Sequence, residues 1–85
     1  MYKITNVTAR DGKTVKPERI GRTVYNVDKI TDIMSGKSWC YAEYADQDNL
    51  GKALCTSEEI LRTEGSDTGK ITVVTQNSIY TFEKV

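Results

Sequence analysis

The chain has no histidine, one proline, one tryptophan and one phenylalanine among its 85 residues. Without histidine, a serine or cysteine nucleophile lacks its conventional base, and a metal lacks an imidazole ligand. Only two cysteines are present, Cys40 and Cys55, and neither has a second cysteine or a histidine at metal-ligand spacing. Each lies in an apolar stretch, where free cysteine behaves as a small hydrophobe. Reduced thiols of that kind suit the cytoplasm, although one disulfide is arithmetically possible. Net charge is also lacking: 12 basic residues balance 12 acidic ones. A balanced surface makes no broad positive field for a phosphate backbone, which argues against DNA or RNA as partner. Two or three local basic groups would still hold a small phosphorylated ligand. No run approaches the ~18 apolar residues of a membrane span. Met1-Tyr2-Lys3-Ile4-Thr5 has no apolar run behind its lysine, against a signal peptide. The expectation is a cytoplasmic protein with no membrane partner.

At 85 residues the chain reads as one domain, spanning 1–85. A domain this small buries only about 60–65% of its unfolded surface. The apolar fraction is 38%. Either the core is small or apolar surface is covered by a partner or a second copy, and a homo-oligomer is expected.

The chain alternates short apolar segments with turn signals, which predicts an all-β domain. Tyr2 to Ala9 is rich in β-branched residues and reads as a strand. Arg10-Asp11-Gly12-Lys13 is a turn, and Lys16-Pro17-Glu18-Arg19-Ile20-Gly21 a structured loop. Arg22 to Val27 reads as a second strand. Residues 28–36 stay open between two readings. Ile30, Ile33 and Met34 fall at helical spacing between a capping Asp28 and a closing Gly36. The other reading is a strand running into a turn at Ser35-Gly36-Lys37. Ser38 to Ala45 is the most aromatic strand, with Trp39, Tyr41 and Glu43 on one face and Cys40, Ala42 and Tyr44 on the other. A long turn over 46–51 leads to a short strand at 52–56. Thr56-Ser57-Glu58-Glu59 has the form of a capping box, before one helical turn or a kinked strand. Lys70 to Gln76 and Ile79 to Val85 are strands joined by a hairpin at Asn77-Ser78. Five or six strands in this length predict a small, strongly bent antiparallel sheet, or an SH3-like barrel.

Three stretches that look like known sites fail on chemistry. Asp46 to Gly51 begins like a calcium loop, but Leu50 holds its fifth position and Ser57 its twelfth. Gly65 to Lys70 is one residue short of a phosphate loop, and Ile71 replaces the magnesium-binding hydroxyl. Asp67-Thr68-Gly69 matches the aspartic-protease tripeptide but lies in a glycine-rich loop, not behind an apolar strand. No catalytic residue, metal or cofactor is expected, and the chain reads as a non-enzyme.

What is present is recognition chemistry. Trp39 and Tyr41 offer flat faces for stacking. Arg19 and Arg22 offer forked donors for anionic groups. Thr56, Ser57, Asn77 and Ser78 place hydroxyls and amides near strand ends. These eight form the expected ligand-binding set.

Three segments together carry a resemblance: Pro17-Glu18-Arg19-Ile20-Gly21-Arg22, Leu54-Cys55-Thr56-Ser57, and Val73-Val74-Thr75-Gln76-Asn77-Ser78-Ile79-Tyr80. With them the chain resembles small uncharacterised all-β proteins of phages and mobile elements of Gram-positive bacteria. Such relatives would carry arginine where Cys55 stands, so no anion-binding role comes to that position. The resemblance implies no assigned activity, but it favours an accessory protein acting against host machinery in the host cytoplasm. The expected function is a binding protein, an anti-defence factor that sequesters a nucleotide-type signal molecule or blocks a host protein. The rival expectation is an SH3-like interaction module or a virion component.

Overall fold

A computed structural model describes residues 1–56, 59–65 and 69–85. The described residues form eight strands: β1 Tyr2–Ala9, β2 Thr23–Val24, β3 Asp28–Thr31, β4 Ser38–Glu43, β5 Ala53–Cys55, β6 Ile60–Glu64, β7 Lys70–Thr75 and β8 Ser78–Lys84. The only helical pieces among them are single 3-10 turns at Pro17–Arg19 and Gln47–Asn49. The all-β expectation holds.

The strands form two antiparallel sheets, one ordered β2-β1-β8-β7-β6 and the other β3-β4-β5. The expected single bent sheet of five or six strands is therefore split, and no barrel closes. The sheets meet at one corner. Val24 pairs with Tyr2 on one side and bridges Tyr44 on the other. Tyr25 N–H donates to the Glu43 carbonyl at 3.0 Å, and Ala45 N–H to that of Thr23 at 2.9 Å. This corner shortens the expected strand over 22–27 to Thr23–Val24, because the chain leaves the large sheet there to join the small one.

Between the sheets lies one core. Ile4, Val7, Ile71, Val73, Tyr80 and Phe82 come from the large sheet, and Cys40, Ala42 and Leu54 from the small. Period-2 alternation turns Cys40 and Ala42 inward, as anticipated. In β1 alternation alone fails, since Ile4 and Val7 both face inward. A bulge between Ile4 and Asn6 supplies the extra residue that switches the face. A second irregularity between Ile60 and Arg62 kinks β6, where Ile60 packs against the core and Leu61 stays exposed. The kinked strand is thus the reading that holds after Thr56. The capping box falls partly on residues 57 and 58, outside the described residues. So do residues 66–68, which carry most of the rejected phosphate-loop and protease stretches.

Residues 28–36 resolve as strand β3 and a turn, not a helix. A nine-residue segment cannot pay for helix nucleation alone, and β4 offers a ladder from Asp28–Tyr41 to Thr31–Ser38. The turn is closed by Asp32, whose carboxylate accepts from Met34 N–H and from the Ser35 hydroxyl, both at 2.9 Å. Those bonds hold the Asp32 carboxyl below its ordinary range. Gly36 follows at φ 75°, a left-handed conformation that a side chain resists. The expected turn at Arg10 to Lys13 is built the same way. Asp11 accepts from the N–H groups of Lys13 (2.8 Å) and Thr14 (2.9 Å), which lowers its pKa.

The β7–β8 hairpin turns at Gln76-Asn77, one residue earlier than expected, and Ser78 opens β8. The shift has a side-chain cause. The buried Thr75 hydroxyl accepts from Ser78 N–H at 3.1 Å and donates to the Ser78 carbonyl at 3.0 Å, which pairs these two residues.

Candidate functional site

The loop after β1 is tied back along that strand. Thr8 bridges Val15, Lys16 N–H donates to the Val7 carbonyl at 2.8 Å, and Gly21 N–H to that of Ile4 at 2.8 Å. Between these ties the Pro17–Arg19 turn bows outward. Pro17 suits its first position, where a missing N–H costs nothing. The bow carries Lys16, Glu18 and Arg19 across to β8, where alternation sets Ser78 and Tyr80 on one face.

The result is a cleft of about 310 Å³ lined by Val7, Lys16, Glu18, Arg19, Cys55, Ser78 and Tyr80. Val7 and Tyr80 belong to the core, so the cleft opens where the core reaches the surface. Lys16 Nζ donates to Ser78 Oγ at 2.8 Å and to the Asn77 carbonyl at 3.3 Å. Arg19 donates to the Tyr80 hydroxyl at 3.3 Å. Among the described residues the one salt bridge is Arg62–Glu64, on the surface of β6. Lys16 and Arg19 therefore make no ion pair among the described residues and are held in place by neutral groups. Such a pair can receive an anion, with the Ser78 hydroxyl as a further donor. Glu18 adds one acceptor for a ligand hydroxyl or N–H.

Of the expected binding residues, Arg19 and Ser78 line this cleft, and Asn77 reaches it through its carbonyl. Arg22, Thr56, Trp39 and Tyr41 lie elsewhere. Arg22 lies over the Tyr44 ring, 5.1 Å from its centroid, and donates to the Tyr44 hydroxyl at 3.2 Å. Thr56 is buried, and its hydroxyl accepts from Cys40 N–H at 3.0 Å, extending the β4–β5 ladder. Trp39 and Tyr41 lie on the outer face of the small sheet, as the alternation of β4 dictates. There Tyr41 borders a second hollow of about 260 Å³. Ser57 lies outside the described residues.

Sequence reasoning missed Lys16, Glu18 and Cys55 as members of the cleft. Ser78 and Tyr80 share a face by simple alternation, and that signal could have paired them. Lys16 gives no such signal, because the fold of its loop decides where it points.

The two thiols differ. Both are free. Burial, with Cys55 and Asp28 nearby, pushes Cys40 up to about 12. Cys55 is exposed and borders the cleft.

Comparisons with protein-family models, with curated proteins and with solved structures find no match to this chain.

Proposed function

We propose that this protein is a non-enzymatic binding protein whose cleft holds a small anionic ligand of nucleotide type. One observation carries the reading: Lys16 and Arg19, unpaired with any carboxylate among the described residues, converge with Ser78 and Tyr80 on one hollow. The cations take the phosphate, the Ser78 hydroxyl adds a neutral donor, and Glu18 accepts from a sugar or base. At about 310 Å³ the cleft is near the lower bound of small-molecule sites, which run from ~300 to 1,000 Å³. A second copy across its mouth would enlarge it, in line with a homo-oligomer. The resemblance to phage and mobile-element proteins favours an anti-defence role, with a signal molecule sequestered in the host cytoplasm.

Cys55 makes the test direct. It borders the cleft, while Cys40 is buried and held protonated, so iodoacetamide reads Cys55 alone. AMP is expected to slow alkylation of Cys55 and adenosine to do so far less. Lys16→Ala and Arg19→Ala should each weaken AMP binding about tenfold or more, and Arg22→Ala should leave it unchanged. Native mass spectrometry of protein isolated from its source cells should show a bound phosphorus compound. Equal protection by adenosine, or loss through Arg22→Ala but not Lys16→Ala, would sink the reading.

A second reading, blockade of a host protein, has its own observation. Ile33 and Met34 at the β3–β4 tip are 95% and 94% exposed. A protein that co-purifies in fixed stoichiometry, and is lost on Ile33→Ser with Met34→Ser, would favour it.

A further inference from the structure

The second hollow lies at the β4–β5 end of the small sheet, with the core residue Tyr44 in its lining, and strand pairing explains its shape. Glu43, at the end of β4, faces outward. Across the corner Tyr25 N–H bonds its carbonyl at 3.0 Å, so the two residues stand side by side. On the other flank Glu43 pairs with Ala53, and two residues back along β4 Tyr41 shares its face. A small side chain at Ala53 therefore makes a floor. Tyr25, Tyr41 and Leu50 stand around it, with Glu43 and Lys52 as the charged members. The hollow measures about 260 Å³.

Its groups are unsatisfied in a specific way. The one close aromatic pair among the described residues is Tyr80–Phe82, and the one cation over a ring is Arg22 on Tyr44. Among the described residues the rings of Tyr25 and Tyr41 thus carry no aromatic or cationic partner. Glu43 takes only a long hydrogen bond from the Tyr41 hydroxyl, 3.4 Å, and no ion pair among the described residues. Partial burial and the Glu43 charge both raise the Tyr41 pKa, so that carboxylate is felt within the hollow. Tyrosine faces beside a free carboxylate attract a planar cation, by the ring quadrupole and by forked hydrogen bonds. The fold already uses this chemistry once, where Arg22 covers Tyr44.

We propose that the hollow of Tyr25, Tyr41, Glu43 and Ala53 receives the guanidinium of an arginine side chain presented by a protein partner. The site is separate from the anion cleft and does not rest on the function proposed for it. Lys52 is its built-in opponent, a like charge on the rim that limits affinity. That opposition gives the test a sign.

The probe is Nα-acetyl-L-arginine amide, titrated into the whole protein and followed through the backbone amide shifts of Gly51, Lys52 and Ala53. Saturable shifts are expected. Glu43→Gln and Tyr41→Ala should each weaken binding about fivefold or more, while Lys52→Ala should tighten it severalfold. Ala53→Leu fills the floor of the hollow at an exposed position and should abolish binding while the rest of the spectrum is retained. The norleucine analogue, similar in length but uncharged, should not bind. No saturable shift, equal binding of the norleucine probe, or weakening by Lys52→Ala would each overturn the proposal. Binding of free arginine but not of the capped form would also overturn it, since the site would then take a metabolite instead of a side chain.

Discussion

The β7–β8 and β3–β4 hairpins differ in what holds their tips. Arg10 donates to the carbonyls of Thr75 and Gln76, at 3.1 and 3.4 Å, and Lys16 to that of Asn77. Beneath them the Thr75 hydroxyl binds Ser78 twice. The first hairpin is thus tied down by residues more than 60 positions away. In the second, every bond at the tip is local. Asp32 closes the turn on Met34 and Ser35, Asp32 N–H reaches the Lys37 carbonyl at 2.8 Å, and Thr31 shares a hydroxyl bond with Ser38. All four residues of β3 are exposed. Turn chemistry is enough to form a hairpin, but distant contacts decide whether its tip joins the body of the protein. The cleft of Lys16 and Arg19 lies beside the tied hairpin, where Lys16 serves both, and the free hairpin presents apolar surface instead.

Three variants would sharpen or break that contrast. The largest effect is expected at Phe82, fully buried on β8 opposite Ile4 and Ile71. Phe82→Ala should cost about 3–5 kcal/mol, read as a lower urea midpoint. A cost below about 1 kcal/mol would mean that the two sheets do not share one core. Next is Thr75→Val, which keeps the shape but leaves the buried Ser78 N–H without its hydroxyl partner. A loss of about 1–3 kcal/mol is expected, with faster hydrogen exchange at Ser78. Unchanged exchange there would show that the hydroxyl does not close the turn. The smallest effect belongs to Ile33→Ser with Met34→Ser. Both residues are almost wholly exposed, so stability should move by no more than about 0.5 kcal/mol. A larger loss would show that the tip is packed after all.

Much of the architecture is legible from alternation and turn residues. The inward set Cys40, Ala42 and Tyr44 and the outward set Trp39, Tyr41 and Glu43 follow from period 2 alone. The turns at Asp11-Gly12 and Ser35-Gly36 follow from a carboxylate that accepts local amides beside a glycine that accepts positive φ. The site is less legible. Arg19 and Ser78, singled out for their chemistry, line one cleft. Arg22 has the same chemistry and only three residues separate it from Arg19, yet it is spent on Tyr44. Thr56 has a hydroxyl like Ser78, yet that hydroxyl replaces a ladder bond. Residue type states what a group can do. It does not state which neighbour will use it.

Local rules therefore determined, from the chain alone, that this protein is built of strands, where most of them turn, and which side of β4 is apolar. These depend on backbone sterics and side-chain alternation over a few residues, and every such segment carries them with it. Only the tertiary structure decided that the strands divide into two sheets at Val24 and that Lys16 meets Ser78. It alone also left a hollow over Ala53 between Tyr25 and Tyr41. Those outcomes depend on distances between residues far apart in sequence, and such distances exist only once the core has closed.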